Sequence, residues 1–206
     1  AGPNVLAMEC AMDEAALVAG ADPLKFRLDH IEDPFLVGVL QRVAEIAHWG
    51  EPQQSEEGIR KGRGIACGVY KNTSYAAAVA DVCIEPDGST KIEKLWCVHD
   101  CGLVINPDQV RAQCEGNLAW SIGMVLTDGL SVEDGFVTAE VFSDAPIPTN
   151  GQIPEMIIDL IESPRPPQGA GETAIVAGPG AIANAIRAAT GIRLQNLPLR
   201  SEELAI

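Results

Sequence analysis

Ser74-Tyr75-Ala76-Ala77-Ala78-Val79-Ala80-Asp81-Val82-Cys83-Ile84 is followed by Asp87-Gly88 and then by Lys91-Ile92-Glu93-Lys94-Leu95-Trp96-Cys97-Val98. This run decides the fold. Two apolar segments of strand length flank a dipeptide that takes positive φ readily, so the pattern predicts an antiparallel hairpin. Upstream, Gly64-Ile65-Ala66-Cys67-Gly68-Val69-Tyr70 reads as a further strand. Upstream of that lie a polar linker over 51–62 and three helices. The first covers 9–19 with Gly20 as its C-cap. The second begins at Asp22-Pro23 and the third at Asp33-Pro34, the latter running down to Trp49-Gly50, each with Asp as N-cap and Pro at the first position.

Downstream, Asn106-Pro107 repeats the capping device and predicts a helix over 107–126, interrupted at Glu115-Gly116-Asn117. Asp134-Gly135 marks a second hairpin, residues 144–154 read as irregular, and Met156–Ile161 as an apolar strand. A small-residue helix over 179–190 ends at Gly191, and Arg193–Leu199 reads as a short closing strand. The pattern is α+β, with mixed or antiparallel strands and packed helices. It divides into a helical segment, 1–60, and an α+β domain, 61–206.

The chain has 206 residues, 47% of them apolar, enough for a substantial core. Aromatics are only 4% while Ala and Gly abound, which predicts close backbone packing between helix and sheet or around a large cofactor. A net charge of −15 opposes binding to nucleic acid or to an anionic membrane surface. No apolar run reaches the length of a membrane span. The six cysteines include no CxxC pair and no zinc or iron–sulfur spacing, and Cys67, Cys83 and Cys97 read as small core residues. The first residues, Ala1-Gly2-Pro3-Asn4, carry neither a leader nor a Met, which reads as an interior or C-terminal piece of something longer, or a processed product.

One candidate for chemistry is Gly169-Ala170-Gly171-Glu172-Thr173, a carboxylate at the end of a glycine-rich turn that follows Pro164, Pro166 and Pro167. A second is the helical run Arg111-Ala112-Gln113-Cys114-Glu115-Gly116. There the Gln113 amide can donate and accept at once, and Gly116 permits close approach of a ligand. Phosphate-loop glycine motifs are absent. Of the histidines, His30 and His48 fall in expected helices, and His99 beside Asp100 reads as a structural residue at a strand end.

The ordered set Asp100-Cys101-Gly102, Asn106-Pro107, Gln113-Cys114-Glu115-Gly116, Gly169-Ala170-Gly171-Glu172, Ala181–Gly191 and Leu197-Pro198-Leu199 resembles the xanthine oxidase/aldehyde oxidase family of molybdenum hydroxylases. It looks most similar to the large subunit of the isoquinoline 1-oxidoreductase (beta-subunit) type. The resemblance covers essentially the whole chain. It implies a molybdopterin-binding domain in which Gln113, Glu115 and Gly116 line a molybdopterin cytosine dinucleotide, with Gly171 beside it. It also implies that Glu172 is the general base at molybdenum while an aldehyde or N-heteroaromatic carbon is hydroxylated with oxygen from water.

Electrons would leave through [2Fe-2S] centres on an iron–sulfur partner subunit. The family usually has glycine where Asn117 stands and proline where Thr173 stands; these departures predict an altered cofactor contact and a looser turn. The family's other cofactor-cradling glycine motifs are absent, which implies a C-terminal portion sharing its cofactor with the remainder of the molybdenum subunit. Such relatives occur in either the bacterial cytoplasm or the periplasm. Two other readings stand beside this one: a structural or assembly module that keeps the fold without cofactor, and a stand-alone carboxylate hydrolase built on Glu172, for which no paired carboxylate is visible.

Overall fold

A computed structural model describes residues 1–53 and 57–205. In chain order its elements are α1 (Gly2–Val18), α2 (Pro23–His30), α3 (Pro34–Ile46), β1 (Arg60–Tyr70), β2 (Ser74–Ile84), β3 (Thr90–Asp100), α4 (Pro107–Leu126), β4 (Val132–Glu133), β5 (Phe136–Val137), β6 (Glu155–Leu160) and α5 (Gly178–Thr190). The α+β class expected from the sequence is the one observed. The polar linker expected over 51–62 lies partly outside the described residues.

The caps are those the sequence announces. Asp22 accepts from the Lys25 amide at 2.9 Å, Asp33 from Phe35 at 2.9 Å, and Asn106 from Gln109 at 3.2 Å. Gly191 closes α5 with φ of 76°, a conformation that costs glycine nothing. At the tip of the hairpin, Gly88 takes φ of +84°, and a Cβ there would fall 1.9 Å from the carbonyl oxygen of Ser201. Asp134 and Gly135 likewise both turn at positive φ, 50° and 85°, as a two-residue hairpin turn requires.

The main sheet runs β1-β2-β3-β6, antiparallel except that β6 lies parallel to β3. Every residue of β2 is buried, because both faces of the sheet are covered. On one face α3 packs Val39, Leu40 and Val43 against Ile65, Val79, Trp96 and Val98. On the other, α4 and α5 close over Ala66, Ala78, Val82, Leu95 and Cys97. The low aromatic and high Gly/Ala content has a direct cause here. A Cβ on Gly62 would lie 2.2 Å from the Ala185 carbonyl oxygen, and one on Gly64 2.1 Å from the Ala185 nitrogen, so β1 and α5 touch backbone to backbone.

A buried charge cluster joins α1 and α2 to this layer. Arg27, fully buried, donates to Glu9 at 2.9 Å and to Asp13 at 3.0 Å, and Glu9 also accepts from the Cys67 amide at 2.9 Å. Burial pushes the Glu9 and Asp13 carboxyls up, and Arg27 opposes that effect.

Four expectations are corrected. α1 begins at Gly2 and not at 9, with Pro3 in its first turn, where a missing amide hydrogen costs nothing. α4 runs unbroken through Glu115-Gly116-Asn117, since buried contacts of Cys114, Asn117 and Leu118 outweigh the low helix propensity of one glycine. His48 lies beyond the end of α3 with φ of 51°. Arg193–Leu199 forms no strand. Its Leu199 amide donates to Val125 at the end of α4 (2.7 Å), and Pro198 has no amide to offer a ladder.

Candidate functional site

The Gly169–Glu172 turn sits where three distant pieces of chain meet: the β1–β2 turn, one face of α4 and the loop from 163 onward. The β1–β2 turn is tight, with Lys71 and Asn72 at φ of 50° and 59°. That geometry leaves Tyr70, the last residue of β1, facing the loop. Its hydroxyl donates to the Glu172 carboxylate, and this bond raises the ionisation of the Tyr70 phenol above its ordinary value. Ser74, the first residue of β2, donates to the Gly169 carbonyl at 2.6 Å.

The helix face supplies two amides at i and i+4. Gln113 Nε2 donates to the Gly171 carbonyl at 3.1 Å, and Asn117 Nδ2 donates to the same oxygen at 2.9 Å. Asn117 then accepts from the Ile175 amide at 3.2 Å, so one side chain grips the turn on both sides of Glu172. Thr173, expected to loosen the turn, is fully buried and donates its hydroxyl to the Gly169 carbonyl at 3.3 Å. The Glu172 side chain remains exposed beyond this frame.

Arg165 fixes the entry to the turn. Its guanidinium donates to Asp100 at 2.6 Å and to the Thr73 carbonyl at 2.6 Å, and it stacks over the rings of Phe35 (4.3 Å) and Tyr75 (4.8 Å). Asp100 is buried and also accepts from Ser163 at 2.9 Å and the Gly102 amide at 2.8 Å. Gly102 must be glycine, because a Cβ at its φ of +76° would lie 2.3 Å from the Pro166 carbonyl.

Beneath α4, Cys114 contacts His99 Nδ1 at 3.6 Å. The hydrogen bond from Cys97 pushes the Cys114 thiol below the ordinary value and outweighs burial, with a further contribution from His99. His99 is a buried residue of β3 that anchors the helix.

The candidate residues therefore divide. Gln113, Gly171 and Glu172 come together. Glu115 and Gly116 face a different groove of about 430 Å³, shared with Ala112, Ala119, Ile153, Pro154 and Met156. Around that groove Gly116 is open, for a Cβ there would meet no atom within 4 Å. Tyr70, Ser74 and Arg165 were not singled out from the sequence. Tyr70 carries no local signal beyond its place at a strand end, since its partner lies 102 residues away.

Residues 7–154 match the molybdopterin cofactor-binding domain family. The chain belongs to that family, within the molybdenum hydroxylases. This molybdopterin cofactor-binding domain is 37% identical to the B subunit of nicotinate dehydrogenase from Pseudomonas putida, over 98% of this chain and 18% of that protein. It is 31% identical to the beta subunit of isoquinoline 1-oxidoreductase from Brevundimonas diminuta, over 94% of this chain and 25% of that one. The domain thus spans about a fifth to a quarter of these relatives. The crystal structure of the aldehyde oxidoreductase from Desulfovibrio desulfuricans shares its fold, with a TM-score of 0.85 and 17% identity over 98% of this chain and 40% of that chain. Glu172 lies beyond the residues matched to the family. Among the described residues, no cluster of His, Cys, Asp and Glu could hold a metal ion by itself, and no helix is long and apolar enough to cross a membrane.

Proposed function

We propose that this chain is the C-terminal portion of a molybdenum hydroxylase subunit of the isoquinoline 1-oxidoreductase type, which oxidises an aldehyde or an N-heteroaromatic substrate. The observation that carries the reading is the framed carboxylate: Glu172 projects from a turn whose neighbouring Gly171 carbonyl is held by both Gln113 and Asn117. A base so held keeps its position as it takes up a proton.

The residues fit a molybdopterin cytosine dinucleotide shared with the remainder of the subunit. Gly116 leaves space along α4, and Ala112 and Ala119 continue the small-residue surface beside it. The Gln113 side chain makes one hydrogen bond among the described residues, so its second amide hydrogen and its Oε1 can meet a ligand. Gln113, Glu115, Gly116 and Gly171 would contact the cofactor. When bound, the cofactor supplies the water-derived oxygen and takes up the electrons of the oxidation.

Within this chain, Tyr70 holds one carboxylate oxygen of Glu172 and the other accepts the proton. An iron–sulfur subunit with [2Fe-2S] would be the electron-accepting partner. The test is Glu172→Gln in the complete enzyme: loss of a general base lowers kcat by about 10²–10⁴-fold, while molybdenum and cytosine nucleotide content stay near wild type. A variant that keeps most of its turnover overturns the assignment.

A further inference from the structure

Residues 127–152 form an arm that touches the rest of the chain near its base, where Gly129 lies close to Pro198. None belongs to either core, and the β4–β5 ribbon pairs only with itself. An isolated two-stranded ribbon is marginal in water. Yet this one presents large apolar side chains outward: Leu130, Val132, Val141 and Ile147 are exposed, Phe136 is 77% exposed and Phe142 98%. So many exposed large apolar side chains within one short segment mark a surface that another surface covers.

The charge around it is one-sided. From 112 to 164 the sequence has nine carboxylates and no Lys or Arg, and Glu133, Asp134, Glu140 and Asp144 lie within the apolar stretch itself. The arm leaves the C-terminal end of α4 and returns at Ile153, on the rim of the groove that contains Glu115 and Gly116.

We propose that this arm is the docking surface for the remainder of the molybdenum subunit, which meets it with an apolar patch rimmed by Lys and Arg. The inference rests on the proposed function, in which this chain works as part of a larger subunit. Two observations select that occupant. A stretch matching 98% of this chain makes up only 18% of the nicotinate dehydrogenase relative, so such relatives carry several times as much polypeptide to cover the face. A second copy would set Glu133 and Asp134 against acidic residues of the same arm, a like-charge juxtaposition that disfavours association. Docking there also closes one side of the Gly116 groove.

The test places a photo-crosslinking benzoylphenylalanine at position 142 of the complete molybdenum subunit, co-expressed with its iron–sulfur partner, and maps adducts by mass spectrometry. The expected adducts join position 142 to peptides of the same polypeptide outside these 206 residues, in Lys/Arg-bearing segments. Adducts chiefly to the iron–sulfur subunit or to a second copy, or no adducts, overturn the proposal. Adding Glu133→Lys and Asp134→Lys lowers the adduct yield by about tenfold, as expected when like charges meet across an interface; an unchanged yield overturns the charge complementarity. Molybdenum content of the same preparations separates the two readings. Adducts in a molybdenum-free protein uphold the docking and overturn the proposed function, whereas a molybdenum-loaded protein without adducts does the reverse.

Discussion

Asn117 donates its side-chain amide to the Gly171 carbonyl at 2.9 Å, one residue ahead of the exposed carboxylate of Glu172. Because the same side chain accepts from the Ile175 amide, it spans the residue on which the chemistry is proposed to turn. The departure from the family's usual glycine at this position thus coincides with a structural tie.

Asn117→Ala leaves the Ile175 amide with the Glu172 carbonyl alone, at 3.3 Å, and the Gly171 carbonyl with Gln113 alone. Because both partners keep a second bond, each hydrogen bond lost costs about 0.5–1.5 kcal/mol. Denaturant unfolding should show a loss of that size. If the proposed function holds, turnover should fall more than molybdenum content does.

Tyr70 ionises above an ordinary tyrosine because its hydroxyl donates to Glu172. That bond exists only in the protonated phenol. Its contribution is complete below the unfolded tyrosine value of about 10 and is lost as pH rises through the higher folded value. Ultraviolet titration should find the late-ionising phenol, and Glu172→Gln should move it back toward ordinary behaviour. A titration unaffected by Glu172→Gln would sink the pairing.

Arg27 neutralises two carboxylates that burial alone would keep protonated. Arg27→Met strands Glu9 and Asp13, and breaking a buried ion pair costs about 3–5 kcal/mol. Both carboxyls titrate above their ordinary values in the folded chain. Their contribution to stability is therefore complete below the unfolded carboxylate values and is lost as pH rises through the folded ones. Thermal unfolding across mildly acidic pH should show this slope, and it should steepen in Arg27→Met.

Gly64→Ala drives a methyl group into the Ala185 backbone, at 2.1 Å from its nitrogen. Overpacking of this kind costs about 1–3 kcal/mol or more. Gly38→Ala, at a helix position with no atom within 4 Å, serves as the control and should be neutral or slightly stabilising. Melting temperatures of the two variants give the comparison.

Much of this fold was legible because its punctuation is local. Asp22-Pro23, Asp33-Pro34 and Asn106-Pro107 each place an oxygen and a missing amide hydrogen where a helix begins, and Asp87-Gly88 and Asp134-Gly135 each supply the turn of a hairpin. What escaped is non-local. Nothing near residue 155 says that β6 will lie parallel to β3, and nothing near Arg193 says that its apolar neighbours will meet the end of α4 instead of a strand. The site divides in the same way. Gln113 and Glu172 were visible as residue types in suggestive turns and helices, whereas Tyr70, Ser74 and Arg165 acquire meaning only from their partners. Gln113, Glu115 and Gly116 are neighbours in sequence, and the helical period sets Gln113 on one face of α4 and the other two on the face beside it.

The bond between Tyr70 and Glu172 closes a loop of 102 residues, and that between Gln113 and Gly171 one of 58. Contacts of such high order cannot form early, because the chain between them must first be gathered at an entropic cost. The hairpins and capped helices can assemble while Glu172 still moves freely. The carboxylate is thus set in place only when distant segments of the chain meet, and a chain trapped before that has its hairpins and capped helices but not the framed Glu172.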